Sequence, residues 1–237
     1  MHKWLILLAL AGCATGIPVP DAEEDARQQA AMAEAEAALA QADYDTAYAQ
    51  LLPLAESGNA HASFVLAHLY AQGHGVARDL SATRDWLERA ARQGHAPAQY
   101  QLAQMLPQDD RQTRQWYERA AQQGFPPAQY QLGVWLEARR DAAQAAHWYA
   151  QAAAQDIAAA QHALGRLYLR GHGVPADESQ AIHWLELAAT QGETAAQFDL
   201  GMLHMQRGDR DRAISWLQQA GSAGHEEARK ALKILGL

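Results

Sequence analysis

Five tryptophans stand in one register along the chain: Trp86, Trp116, Trp148, Trp184 and Trp216, separated by 30, 32, 36 and 32 residues. Self-similarity at a period of this length marks a chain of stacked supersecondary units rather than one folded around a single core. The flanking residues carry the same register. Seven positions before each tryptophan stands Asp79, Asp109, Asp141, Asp177 or Asp209, and eight after stands Gly94, Gly124, Asp156, Gly192 or Gly224. Twelve after comes Ala98, Ala128, Ala160, Ala196 or Ala228, and an earlier copy fits with Gln50 in the tryptophan slot, flanked by Asp43, Gly58 and Ala62.

Each column has a physical reason. An Asp before a helix accepts from the orphan N–H groups of the first turn and suits the positive end of the dipole, so the six Asp cap the second helix, B, of each unit. A Gly after that helix takes the left-handed conformation of a helix end, which Asp156 also tolerates. Pairs such as Ala90-Ala91 and Ala188-Ala189 let helices approach closely. The first helix, A, carries an Ala, a Leu and a third apolar position, as in Ala98-Gln99-Tyr100-Gln101-Leu102. The tryptophan column reads as core, with Trp135, outside the register, the candidate for exposure. Composition agrees: 54 residues are Ala and 26 Gln, against 11 Val and Ile together, which favours helix over sheet. The excess Gln reads largely as solvated helix faces.

Two units are longer because Gly73-His74-Gly75-Val76 and Gly171-His172-Gly173-Val174 separate their helices. The run from Ala160 to Tyr168, followed by that second loop, then Ala181-Ile182-His183-Trp184-Leu185, Ala188-Ala189 and Gly192, resembles a complete Sel1-like repeat. The resemblance implies an all-α fold, an α/α solenoid (superhelix) of Sel1-like or tetratricopeptide-like hairpins, with about six repeats and about thirteen helices. The expected divisions are a divergent N-terminal repeat over residues 22–58, Sel1-like repeats over 59–225 and a C-terminal capping helix over 226–237. The shorter units lack the glycine loop and lie closer to tetratricopeptide length.

The N-terminus reads as an address. Lys3, an apolar stretch from Trp4 to Leu10, and small Ala11-Gly12 precede Cys13, the one cysteine of the chain. This is the layout of a signal peptide over residues 1–12, with an apolar run too short to span a bilayer. Leu10-Ala11-Gly12-Cys13 resembles the lipobox of bacterial lipoproteins, which implies acylation of Cys13 and a tether over residues 13–21. By the same resemblance, Ala14 after the cysteine suggests sorting to the outer membrane, facing the periplasm.

A formal charge of −8 argues against nucleic acid as a partner. A single cysteine excludes an intramolecular disulfide. No HExxH, phosphate-loop or Gly-x-Ser-x-Gly pattern occurs, so no catalytic residue, metal or cofactor is assigned. His147 and His183, each just before a tryptophan, and His74 and His172 in the glycine loops read as repeat decoration; His61, His95 and His225 read as solvated helix starts. In related solenoids helix A lines the concave surface, and there the variable positions are His68, Gln101, Gln104, Gln131, Val134, Arg166, Asp199 and Met202. Tyr100 and Tyr130 beside them are expected to pack against the next helix. The expectation is a membrane-tethered, non-enzymatic envelope scaffold that binds a peptide or protein on this face, for assembly of a secretion, pilus or polysaccharide-export machine. The alternatives are a surface-exposed adhesin or host-interaction protein and, further off, a β-lactam-binding or hydrolase-type enzyme.

Overall fold

The computed structural model describes residues 22–107 and 111–237, with side chains from residue 24 onward. Cys13, the signal and tether segments, and the cap residue Asp109 lie outside the described residues. Within them the chain forms thirteen helices and no strand: α1 (Ala22–Ala40), α2 (Tyr44–Glu56), α3 (Ala60–Gln72), α4 (Leu80–Arg92), α5 (Ala96–Met105), α6 (Arg111–Gln122), α7 (Pro126–Ala138), α8 (Ala142–Ala153), α9 (Ala158–Arg170), α10 (Glu178–Thr190), α11 (Thr194–Gln206), α12 (Arg210–Ser222) and α13 (Glu226–Ile234). Each helix packs chiefly on the next in the chain. Odd-numbered helices are therefore the A helices and even-numbered ones the B helices of an all-α repeat solenoid.

Aspartates start the B helices. The carboxylates of Asp43, Asp79, Asp141, Asp177 and Asp209 accept from first-turn N–H groups, at distances from 2.8 Å for Asp79–Ser81 to 3.3 Å for Asp141–Gln144 and Asp209–Arg212. Chain reversal after the B helices uses left-handed backbone, including Asp156 at φ 62°. The two long loops need Gly for a second reason besides positive φ. At Gly173, φ 73°, a Cβ would run into the backbone of Ala142 at the start of α8; at Gly75 it would meet the Tyr44 carbonyl. These loops fold back onto the preceding repeat, and His74 stacks on Tyr44 with ring centroids 4.1 Å apart.

The tryptophan column is half-buried, which corrects its reading as core. The residue after each tryptophan, and after Gln50, fills the interior instead: Leu51, Leu87, Tyr117, Tyr149, Leu185 and Leu217 are at most 2% exposed. One residue along a helix turns the side chain by about 100°, so the tryptophans lie at the seam between repeats. Trp86 and Trp116 each pack against two successive core clusters, and Arg89 and Arg119 cover their rings at 4.5 and 4.7 Å. Trp135 is half-buried rather than exposed, with the Arg139 guanidinium 3.5 Å from its ring centre.

Glutamine supplies a buried ladder, not only solvated faces. Gln99, Gln129, Gln161 and Gln197, next to the conserved-register Ala of the A helices, donate from Nε2 to Ala91, Ala121, Ala153 and Ala189 carbonyls at 3.0 to 3.2 Å. Those carbonyls lie in the last turn of the preceding B helix, where each also accepts the N–H of the left-handed residue three positions on, and the glutamine adds a second donor. Gln123, Gln155 and Gln191 then donate to the Oε1 atoms of Gln99, Gln129 and Gln161, each at 2.8 Å. In the last repeat Arg229 takes the ladder position and donates from Nε to the Gly221 carbonyl at 2.8 Å.

Candidate binding face on the A helices

The A helices bury the Ala and Leu of their repeat motif against the B helices, which leaves their third, fourth and seventh motif positions on the opposite face. All but one of the residues expected from the sequence line three clefts there. His68, Gln101 and Gln104 line a cleft of about 260 Å³ between α3, α4 and α5. Val134 and Arg166 line one of about 220 Å³ between α7 and α9. Arg166, Asp199 and Met202 line the largest, about 580 Å³, between α9, α11 and α13. Gln131, half-buried on α7, lines none of them.

Contacts between successive A helices fix these side chains. Gln101 and His68 meet at 3.2 Å, and desolvation holds the His68 imidazole below its ordinary pKa. His162 Nε2 lies 2.8 Å from the Asp199 carboxylate, tying α9 to α11. Val134 and Met202 are each 38% exposed.

The structure adds residues that the variable columns did not single out. His162 belongs to a column of rings, with Phe64, Tyr100, Tyr130 and Phe198, at the third motif position of the A helices. Phe64 packs on His95 at 4.6 Å, Tyr100 on Phe125 at 5.5 Å, and Phe198 stacks on His225 at 4.5 Å. Tyr100 thus contacts the start of the next A helix, and Tyr130 meets Tyr149 of its own repeat at 5.9 Å. His95 and His225 are helix caps rather than solvated residues: their Nδ1 atoms accept from Ala98 and Ala228 N–H at 3.3 Å. Tyr149 donates to Glu137 at 2.8 Å, and burial pushes its phenol far above the ordinary range. The signal for these roles was the recurrence of a ring at one motif position, which becomes informative only once the next repeat is placed beside it.

Chemically, this face offers imidazoles, amides, guanidiniums, carboxylates and exposed apolar side chains, a set suited to binding. Among the described residues no group of three His, Cys, Asp or Glu could hold a metal ion. No helix among them is long and apolar enough to cross a membrane.

Comparison with known proteins matches the same units. The family model described as "Sel1 repeat" matches residues 60–95, 96–125, 126–157, 158–193 and 194–225. The chain is similar to a protective antigen of uropathogenic Escherichia coli with an SLR fold, at 32% identity and a TM-score of 0.68, over 78% of this chain and 43% of that one. It is also similar to a Sel1 repeat protein from Oxalobacter formigenes, at 28% identity and a TM-score of 0.62, over 89% of this chain and 75% of that one. The chain thus spans less than half the length of the E. coli antigen. No curated protein sequence matches it.

Proposed function

The chain belongs to the Sel1 repeat family, whose members mediate protein–protein interactions, and on that premise we propose that it is a non-enzymatic scaffold binding an extended peptide segment of a protein partner on its A-helix face. The observation that carries this is the coincidence of the variable positions with the clefts: Arg166, Asp199 and Met202 line the largest one together. In this reading Cys13 carries the lipid anchor and fastens the solenoid to the outer membrane on the periplasmic side, where the partner belongs to an envelope assembly machine.

A photo-crosslinking residue at Met202, compared with one at the exposed Glu186 of α10, tests the binding face in living cells. Adducts of a defined protein from position 202 and none from 186 are expected; adducts from 186 alone would overturn the assignment. For the anchor, Cys13→Ala is expected to move the protein from the membrane to the soluble fraction, and unchanged fractionation would refute lipidation.

A second reading, a surface-displayed protein that faces a host, is favoured by one observation: the E. coli relative is a protective antigen. Protease treatment of intact cells separates the two, because the periplasmic scaffold stays uncut and the surface-displayed protein is removed.

A further inference from the structure

The two glycine loops are one structure in two settings. Gly73 and Gly75 have φ of 75° and 68°, and Gly171 and Gly173 of 64° and 73°. The N–H of His74 donates to the Leu69 carbonyl at 3.0 Å, and that of His172 to the Leu167 carbonyl at 3.1 Å. Each loop presses its second glycine on the first residue of the preceding B helix, Tyr44 for Gly75 and Ala142 for Gly173. The settings differ at that residue. Tyr44 covers His74, with ring centroids 4.1 Å apart and planes 17° from parallel, and both rings are half-buried. Ala142 has no ring to offer. His172 is therefore exposed, and a cleft of about 540 Å³ stands open beside it, with Ala142 and Leu167 in its lining.

Charge does not choose what enters, because Glu137 and Arg140 line this cleft together and their signs are opposite. Shape and stacking choose instead. An imidazole that its loop holds in place presents a flat face, and in the sister loop that face is covered by a phenol ring. The cleft has room for such a ring and for the backbone that carries it, being within the roughly 300–1,000 Å³ of ordinary ligand sites. Glu137 also lines the cleft between α7 and α9. The two clefts are thus continuous, and a peptide lying on the A-helix face passes from one into the other. From the missing ring we infer that the cleft at His172 takes an aromatic side chain, Tyr or Phe, of the bound partner, seated on the imidazole as Tyr44 is seated on His74. This inference rests on the peptide-binding reading above and adds an aromatic subsite to it.

Fluorescence anisotropy with labelled peptide pools tests it. The probes are acetylated, amidated pools randomised around one fixed Tyr, Phe, Leu or Ala, with aromatic residues left out of the random positions. The Tyr and Phe pools are expected to bind about fivefold more tightly than the Leu pool, the worth of one ring pair, and His172→Ala is expected to abolish that preference. Ala142→Tyr rebuilds the covered loop. Its ring fills the cleft from within, so the Tyr and Phe pools should fall to the affinity of the Ala pool. Helicity by circular dichroism checks both variants; His172 is exposed, so its replacement leaves the fold intact and decides the matter alone should Ala142→Tyr not fold. Equal binding of the four pools, or an aromatic preference that survives His172→Ala, would overturn the subsite while leaving peptide binding in place. Failure of every pool to bind the unaltered protein would overturn the peptide-binding reading itself, and the subsite with it.

Discussion

Gln161 donates from its buried amide to the carbonyl of Ala153, 3.1 Å away at the end of the preceding helix. Its oxygen accepts from Gln191 of the following B-helix end at 2.8 Å, so one side chain closes the seams on both sides. Gln161→Leu keeps the volume but removes the side-chain bond to the Ala153 carbonyl, which keeps the Asp156 N–H at 3.1 Å, and takes away the acceptor of the Gln191 amide. A loss of about 1 kcal/mol is expected, the net worth of an ordinary hydrogen bond. Urea unfolding followed by circular dichroism measures it.

The ladder breaks at one place. The Oε1 atom of Gln197 is buried without a partner, because Ala223 stands where the other repeats have Gln123, Gln155 and Gln191. Ala223 has φ −78° and ψ 1°, close to the −82° and 0° of Gln191. Ala223→Gln is therefore expected to stabilise the protein by about 1 kcal/mol, seen as a raised Tm in a thermal melt. An unchanged or lowered Tm would show that the ladder adds nothing there.

Gly173 and Gly192 separate backbone strain from collision. Both have positive φ, 73° and 88°, but a Cβ at Gly192 meets nothing within 4 Å, whereas at Gly173 it meets the Ala142 backbone. Gly192→Ala should cost about 1 kcal/mol, the penalty of the left-handed conformation. Gly173→Ala should cost clearly more, because the loop must leave the preceding repeat as well. Paired chemical denaturation of the two variants gives the ranking.

At Gly133 inside α7 the constraint is packing alone, since a Cβ would lie 2.5 Å from the Tyr149 ring. Gly133→Ala gains helix propensity yet overfills the interface, and a net loss of about 1 kcal/mol is expected. Equilibrium unfolding with near-ultraviolet circular dichroism, which reports the buried tyrosine, checks it.

His95 caps α5 through Nδ1, and burial together with neighbouring His61 holds its pKa below the ordinary 6.5. The unfolded chain therefore takes up a proton that the folded one resists. Stability should be unaffected by this group above pH 6.5, fall as the pH drops from 6.5 through the lowered folded value, and lose nothing further below it. Asn59 makes the same cap in the preceding repeat, to Ala62 N–H at 2.9 Å, without titrating. His95→Asn should accordingly flatten the fall in Tm between about pH 7 and 5. An unchanged pH profile would refute the assignment.

Much of the fold was legible because its signals are local. A cap needs only its own helix start, so Asp43, Asp79, Asp141, Asp177 and Asp209 could be placed by spacing alone. The same spacing could not decide between Trp184 and Leu185 for the interior, since adjacent residues on a helix differ only in the direction they face. It could not reveal that Gln161 reaches Ala153 and Gln191, nor that His162 meets Asp199 37 residues away. Those contacts depend on how far one hairpin is rotated against the next.

The sequence by itself determined the periodicity, the helix boundaries and the register of variable A-helix positions, because each follows from short-range hydrogen bonding and from the need of a repeated hairpin to bury one face on its neighbour. The tertiary structure alone decided which of those positions converge. The stacking angle between repeats brings Arg166, Arg170, Phe198 and Met202 to one cleft while Gln131, in an equivalent motif position to Asp199, lines none.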